Sequence, residues 1–397
     1  MNFGSHPIVI VMAIAVVSSL LGEIRVGVRI PVVVWEVVFG ILVGPYVFGI
    51  VRGEGPLDSL GKLGLGALFF MAGMDLDLQK VKGRPLSLAL FGWCGSLVLG
   101  LCAALILHVL PFVGTPIMVA FALTTTALGT LIPILRDAGE LDSKFGSLLL
   151  AAGATGEFGP VVVISLFLTP LYGAWREAVF MLTFLAIAFV AAAIVLGVRP
   201  PKVLKLLERT MHSSTQLPVC GSVLLVACFA VFSEGIGLES VLGAFAAGMV
   251  VGLASRGSAG QVFREKMEAI AFGFMIPFFF VRSGVDVNLG ALLHNPKTLL
   301  LVPVFLVLFL VVRGAPVFLY RNDLMKKDRW PFALYSATAL PMVVAIAAIG
   351  VRTGRLNSET AAALVGAGLL SVLLFPTIAR IQRANNTQTA RSEAGSV

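Results

Sequence analysis

The sequence predicts an all-α integral membrane protein of about 13 transmembrane helices, built as two inverted six-helix repeats around a linker helix. Three observations predict it. Hydrophobic residues fill 58% of the 397 positions and charged residues only 13%, with a mean hydropathy of +0.98, far more apolar surface than a soluble domain uses. Apolar windows of the roughly 20 residues that cross a bilayer recur along nearly the whole chain. Several short motifs also recur at nearly constant spacing.

The expected spans run at 7–21, 31–50, 58–78, 85–110, 116–136, 145–172, 178–198, 218–234, 238–254, 265–286, 296–320, 331–350 and 358–380, joined by short loops. The first is brief, but no basic start precedes it and no cleavage site is evident, so it reads as a helix and not a signal peptide. Loops after odd-numbered spans, with their flanks and the tail, hold 21 of the 29 Lys and Arg. That bias places the N-terminus outside and the C-terminus in the cytoplasm of a multi-pass protein of the cell (inner) membrane. It also accounts for the net charge of +8 without any nucleic-acid partner. Cys94, Cys102, Cys220 and Cys228 fall within apolar segments and read as packing residues.

The repeat is carried by three matches. Gly139-Glu140-Leu141-Asp142-Ser143 returns as Gly354-Arg355-Leu356-Asn357-Ser358; residues 73–78 (GMDLDL) return as 284–289 (GVDVNL); and 36–40 resembles 239–243. Six spans around one linker span must cross the membrane in opposite senses, the pattern of secondary transporters. The expected division is 1–173 for the first repeat, 174–214 for the linker helix and cytoplasmic loop, 215–380 for the second repeat and 381–397 for a short cytoplasmic tail.

In such repeats the binding site lies at the midplane, where corresponding helices are broken. The fifth span carries Thr124, Thr125 and Thr126 at its centre, and its partner carries Thr338, Ala339, Leu340 and Pro341 at matching depth. Threonine hydroxyls and a mid-span proline loosen the backbone ladder and free carbonyls for a dehydrated cation. The same hydroxyls could instead return hydrogen bonds to their own helix.

Glu157 sits in the middle of the sixth span, and a carboxylate at that depth costs roughly 3 kcal/mol on insertion scales. Acids so placed serve ion or proton movement, which makes Glu157 the expected carrier of both the proton and a monovalent cation. Thr155 and Gly156 beside it complete the candidate ion-binding set with Thr124, Thr125 and Thr126. Arg313, in the eleventh span, could reach inward to the level of Glu157 or snorkel to the headgroups. Arg282 and Asp286, four residues apart, are expected to pair on one helix face. Glu36, Lys62 and Glu234 are expected near span ends, in solvated or interhelical contacts. His6, His108, His212 and His294 lie at span ends or in loops. No catalytic triad, metal-ligand cluster or phosphate cradle appears, so neither an enzyme nor a cofactor is expected.

At residues 68–76 (LFFMAGMDL), 122–127 (ALTTTA), 242–248 (LGAFAAG) and 276–284 (IPFFFVRSG) the chain resembles the monovalent cation:proton antiporters. The branch concerned holds sodium/proton exchangers and the membrane part of potassium-efflux systems. The resemblance implies a homodimer among membrane lipids. A scaffold domain (about 1–80 and 215–290) would form its interface, and a core domain (about 85–173 and 296–380) would carry the crossed helices and slide through it, an elevator mechanism. It implies that Thr124 to Thr126 line the crossing, that Glu157 is the ion-binding acid and that Arg313 is its basic neighbour. Where many relatives have an acid or amide before the carrier acid, this chain has Gly156, so a single carboxylate points to electroneutral one-for-one exchange. Two other classes stay open on the sequence alone: an organic-anion transporter on the same plan, and a channel-like potassium-efflux protein.

Overall fold

The computed structural model describes residues 7–23, 30–75, 83–110, 112–137, 139–141, 143–168, 210, 213, 215–235, 240–255, 258–287 and 296–394. The described elements are all helical: α1 Pro7–Glu23, α2 Val32–Val43, α3 Pro56–Asp75, α4 Arg84–Val109, α5 Pro116–Leu123, α6 Leu128–Asp137, α7 Lys144–Leu168, α8 Leu217–Gly235, α9 Ser240–Ala254, α10 Ser258–Ile270, α11 Ile276–Val285, α12 Pro296–Gly314, α13 Lys326–Ser336, α14 Pro341–Arg352 and α15 Ser358–Ala394. A π turn, Ala271–Met275, joins α10 to α11 just ahead of Pro277, whose missing N–H interrupts the ladder there. A 3₁₀ segment, Ala315–Tyr320, follows α12.

Among the described residues, eight stretches are long and apolar enough to cross a membrane: Pro56–Met74, Arg84–Val109, Lys144–Ile164, Leu217–Gly235, Gly260–Val285, Pro296–Tyr320, Lys326–Arg352 and Ser358–Arg383. The protein is a multi-pass membrane protein. Of the other expected spans, α1, α2 and α9 are apolar helices of 17, 12 and 15 residues, and the fifth is the pair α5–α6. The expected seventh span, 178–198, lies outside the described residues.

Packing sorts the helices into two groups. In the first, α3 lies along α9, α2 along α11, and α1 and α8 flank them. Glycines let these backbones touch: a Cβ on Gly73 would strike the carbonyl of Phe245, one on Gly248 that of Phe70, and Gly40 and Gly284 stand in the same relation across α2 and α11. In the second group, α4 packs on α5 and α7, while α15 gathers α12, α13 and α14. The groups meet mainly where α7 touches α9, with the rings of Phe158 and Phe245 4.5 Å apart, and where α11 touches α14.

Ion pairs follow the same division. Asp58 accepts from Lys62 and Arg282 at 2.7 Å each, and Arg282 also reaches Asp286 at 3.6 Å, all on α3 and α11 or their ends. In the second group Arg383 of α15 binds Glu140 at 2.5 Å and Asp328 of α13 at 2.9 Å while lying over the Phe145 ring.

One expectation is corrected. Cys94, Cys102, Cys220 and Cys228 are exposed on the outer faces of α4 and α8 and do not pack inside. Their apolar settings came from neighbours that also face outward, such as Phe91 and Val98. Glu36, expected in a solvated or an interhelical contact, takes the interhelical one: it is 3% exposed, on the face of α2 turned to the bundle.

Candidate functional site

Two of the expected spans, the fifth and the twelfth, are interrupted at their centres. The first stops at Leu123 and resumes at Leu128; the second stops at Ser336 and resumes at Pro341. Pro341 explains the second break, because it donates no hydrogen bond and its ring disfavours a helical residue before it; Leu340 has φ −122° and ψ −58°. In the first, Thr124 and Thr125 turn their hydroxyls back on the carbonyls of Phe121 and Ala122, both at 2.8 Å, which competes with continuation of the ladder.

The breaks bond to each other. The Ala127 N–H donates to the Thr338 carbonyl at 2.7 Å, and the Thr126 hydroxyl donates to the Ser336 carbonyl at 2.5 Å. The Thr126 N–H donates to the Gly156 carbonyl at 3.2 Å, which ties the first break to α7. In the second break the Ala339 N–H donates to Ser371 Oγ of α15 at 3.0 Å. Thr124, Thr125, Thr126, Thr338, Ala339 and Leu340 are all 0% exposed. Two helix C-termini with partial negative charge and two N-termini with partial positive charge therefore converge in an interior free of exposed surface.

Glu157 follows directly on Gly156 and is 7% exposed. Thr155 turns its hydroxyl toward the Ala151 and Ala152 carbonyls at 3.1 Å. Arg313 reaches inward and does not snorkel: 4% exposed, its Nε donates to Thr126 Oγ1 at 2.8 Å, its Nη2 to the Ala152 carbonyl at 2.8 Å and its Nη1 to Ser96 Oγ at 3.3 Å. Ser96 in turn donates to the Val312 carbonyl at 2.8 Å. The guanidinium thus joins α12 to α4, to the first break and to α7. Gly156 is shaped by the same group, since a Cβ there would stand 2.6 Å from both Arg313 Nη2 and Thr126 Oγ1.

All the candidate residues fall in one region of the second group, the three threonines, Thr155, Gly156, Glu157 and Arg313 beside Thr338, Leu340 and Pro341. Reading the sequence missed Ser96, Ser336 and Ser371, small hydroxyl residues one finds only once the neighbours of Arg313 and of the breaks are known. A cavity of about 480 Å³ opens between the two groups, lined by Asp58, Lys62, Arg282, Asp286 and Arg352 and reaching Val344, about one turn beyond Pro341.

The transmembrane sodium/hydrogen exchanger family model matches residues 9–381. The chain is 24% identical over 386 residues to the putative Na⁺/H⁺ antiporter YjbQ of Bacillus subtilis, covering 93% of this chain and 61% of that protein, so it spans only part of that relative's length. It is 26% identical over 275 residues to the Na⁺/H⁺-K⁺ antiporter GerN of Bacillus cereus, covering 68% of this chain and 69% of that one. Its fold is similar to that of the sodium proton antiporter MjNhaP1 from Methanocaldococcus jannaschii, with a TM-score of 0.68 at 18% identity over 96% of this chain and 98% of the other.

Proposed function

The chain belongs to the sodium/hydrogen exchanger family, and from that premise we propose that it exchanges a monovalent cation for protons by alternating access, electroneutrally, with Glu157 as the shared carrier. The relatives are transporters and not enzymes, so the chemistry concerned is binding and release. The observation that carries the reading is the crossing itself: two interrupted helices bonded to each other, one of them bonded to the residue before a buried carboxylate. A midplane carboxylate holds either a proton or a cation and gains little from holding both, so competition alone couples the two fluxes. Either ligand neutralises the site, and a neutral site crosses apolar surroundings more cheaply than a charged one.

The helix groups support a sliding motion. The ion pairs and close glycine contacts described above lie within the groups, while the ring contact between them, Phe158 on Phe245, is apolar and the charged side chains between them line an open cavity. We read the group of α1–α3 and α8–α11 as the scaffold of a homodimer, and the other as the moving core, in an inner membrane with the N-terminus outside. The cavity reaching Val344 supports access to the crossing from the end where Asp58, Asp286 and Arg352 lie. Both sodium and potassium are kept as substrates, GerN being named for both.

The test is pH-dye quenching in proteoliposomes with each alkali cation added in turn. Wild type is expected to show cation-driven proton movement that Glu157→Gln abolishes while folding normally. Near-normal exchange by that variant, or a rate that responds strongly to an imposed membrane potential, contradicts the carrier role or the stoichiometry respectively.

A further inference from the structure

We propose that the Ser336 hydroxyl is a direct ligand of the transported alkali cation. This rests on the exchange reading above and adds an oxygen that the sequence did not single out. Around the crossing, the hydroxyls of Thr124, Thr125, Thr126, Thr155, Thr338 and Ser371 each donate to a backbone carbonyl. Ser336, in the last turn of α13 and 0% exposed, is different: its Oγ has no hydrogen-bond partner. A serine in a helix ordinarily returns its proton to a carbonyl three or four residues back, and a buried polar atom left unmatched calls for an explanation such as a bound ion.

Its position suits one. The Ser336 carbonyl accepts the Thr126 hydroxyl, and the Thr126 N–H binds the carbonyl of Gly156, the residue before Glu157. Two hydrogen bonds therefore link the backbone of Ser336 to that of the carrier acid. A hydroxyl offers two lone pairs and no charge, so it can replace part of a cation's water shell without disturbing the neutrality that a single carboxylate gives the loaded site. Trp93 Nε1 is also without a partner near α7, but it is a donor only and would repel a cation. An alkali ion held by Glu157 and Ser336 would bridge α7 to the second break, so both halves of the crossing would sense occupancy.

Wild type, Ser336→Ala and Ser336→Thr are compared by thermal melting in detergent, in choline buffer and with sodium, potassium or lithium, and by exchange in proteoliposomes. Because no hydrogen bond is lost, Ser336→Ala is expected to melt at or above the wild-type temperature in choline, to lose most of the cation-induced rise in Tm, and to show an apparent KM for the driving cation at least about fivefold higher. Ser336→Thr, which keeps the oxygen, is expected to restore the cation-induced rise. A wild-type KM in Ser336→Ala, or a lower melting temperature in choline, overturns the assignment. Wild type with neither exchange nor a cation-induced rise would remove the exchange reading itself, and the ligand with it.

Discussion

The two helix breaks use one backbone device and differ in chemistry. Around the first, a buried guanidinium holds Thr126, Ser96 and the Ala152 carbonyl, and a carboxylate stands next to Gly156. Around the second, a neutral serine, Ser371, takes the Ala339 N–H. The loop motifs recur 215 residues apart, and 215 residues beyond Glu157 lies Val372, buried and apolar. The buried charged side chains therefore gather around the first interruption, while the polar side chains around the second, Ser336 and Ser371, are neutral. The charged break borrows its arginine from α12, which belongs to the half of the chain that carries the neutral break.

The sharpest way to break this comparison is to remove the charge from the first break. Arg313→Met leaves Thr126 Oγ1 without its donor and the Ser96 and Ala152 oxygens unfilled in a buried site. Each buried polar group left unsatisfied costs about 1–3 kcal/mol. We expect a large fall in melting temperature and no measurable exchange. A variant that melts like wild type would show that the guanidinium does not hold the break together.

Gly156→Ala should have the next largest effect and should separate position from charge. The added methyl would lie 2.6 Å from Arg313 Nη2 and Thr126 Oγ1, and overpacking of this kind costs about 1–3 kcal/mol. Both charges remain, so exchange should fall through displacement of the guanidinium. Wild-type exchange with wild-type stability would mean that α7 and the first break tolerate separation.

Ser371→Ala tests the neutral side. It leaves the Ala339 N–H buried without an acceptor, worth about 1–2 kcal/mol. Stability should fall while the pH profile of exchange keeps its shape, because no titrating group is touched. A shifted profile would mean that the second break takes part in proton binding.

Much of this was legible in the sequence, for identifiable reasons. Glu157 and Arg313 stand out because charge is rare in apolar windows, and the breaks because hydroxyl runs and a mid-span proline weaken a helix. Three of the four motifs that resemble the family include close-approach contacts, such as Gly73 against Phe245 and Gly284 against Val37, which is why small residues recur in them. What stayed hidden depends on packing direction. The exposed faces of α4 and α8 carry the same apolar letters as buried ones, which is why the cysteines read as packing residues. Whether Glu36 meets solvent or another helix depends on which face of α2 it occupies. Ser96, Ser336 and Ser371 are ordinary letters until the surroundings of each hydroxyl are known. Gly156 reads as one acid fewer beside Glu157, and only the packing shows that Arg313 and Thr126 fill the space of its missing side chain.

The smallest expected effect lies at the helix ends, where a surface network joins the two regions compared above. Arg84, at the start of the helix packed on the first break, donates to Asp323 from Nε at 3.0 Å and from Nη2 at 2.9 Å; Lys144 adds a contact at 3.4 Å, and Asp323 precedes the helix that leads to the second break. The hydrogen bond from Arg84 is the main reason the Asp323 carboxyl titrates below its ordinary value. A carboxylate with a lowered folded-state pKa contributes its stability above the ordinary carboxylate range, about pH 4, and loses it as the pH falls through the lowered value. Exposed pairs contribute little and are screened by salt. Asp323→Asn is therefore expected to lower the melting temperature at neutral pH by at most about 2 °C, with the difference shrinking in high salt and closing once the pH is below the range in which Asp323 is ionised. A deficit that persisted in acid would assign Asp323 a role in packing and would detach this network from the electrostatic account of the crossing.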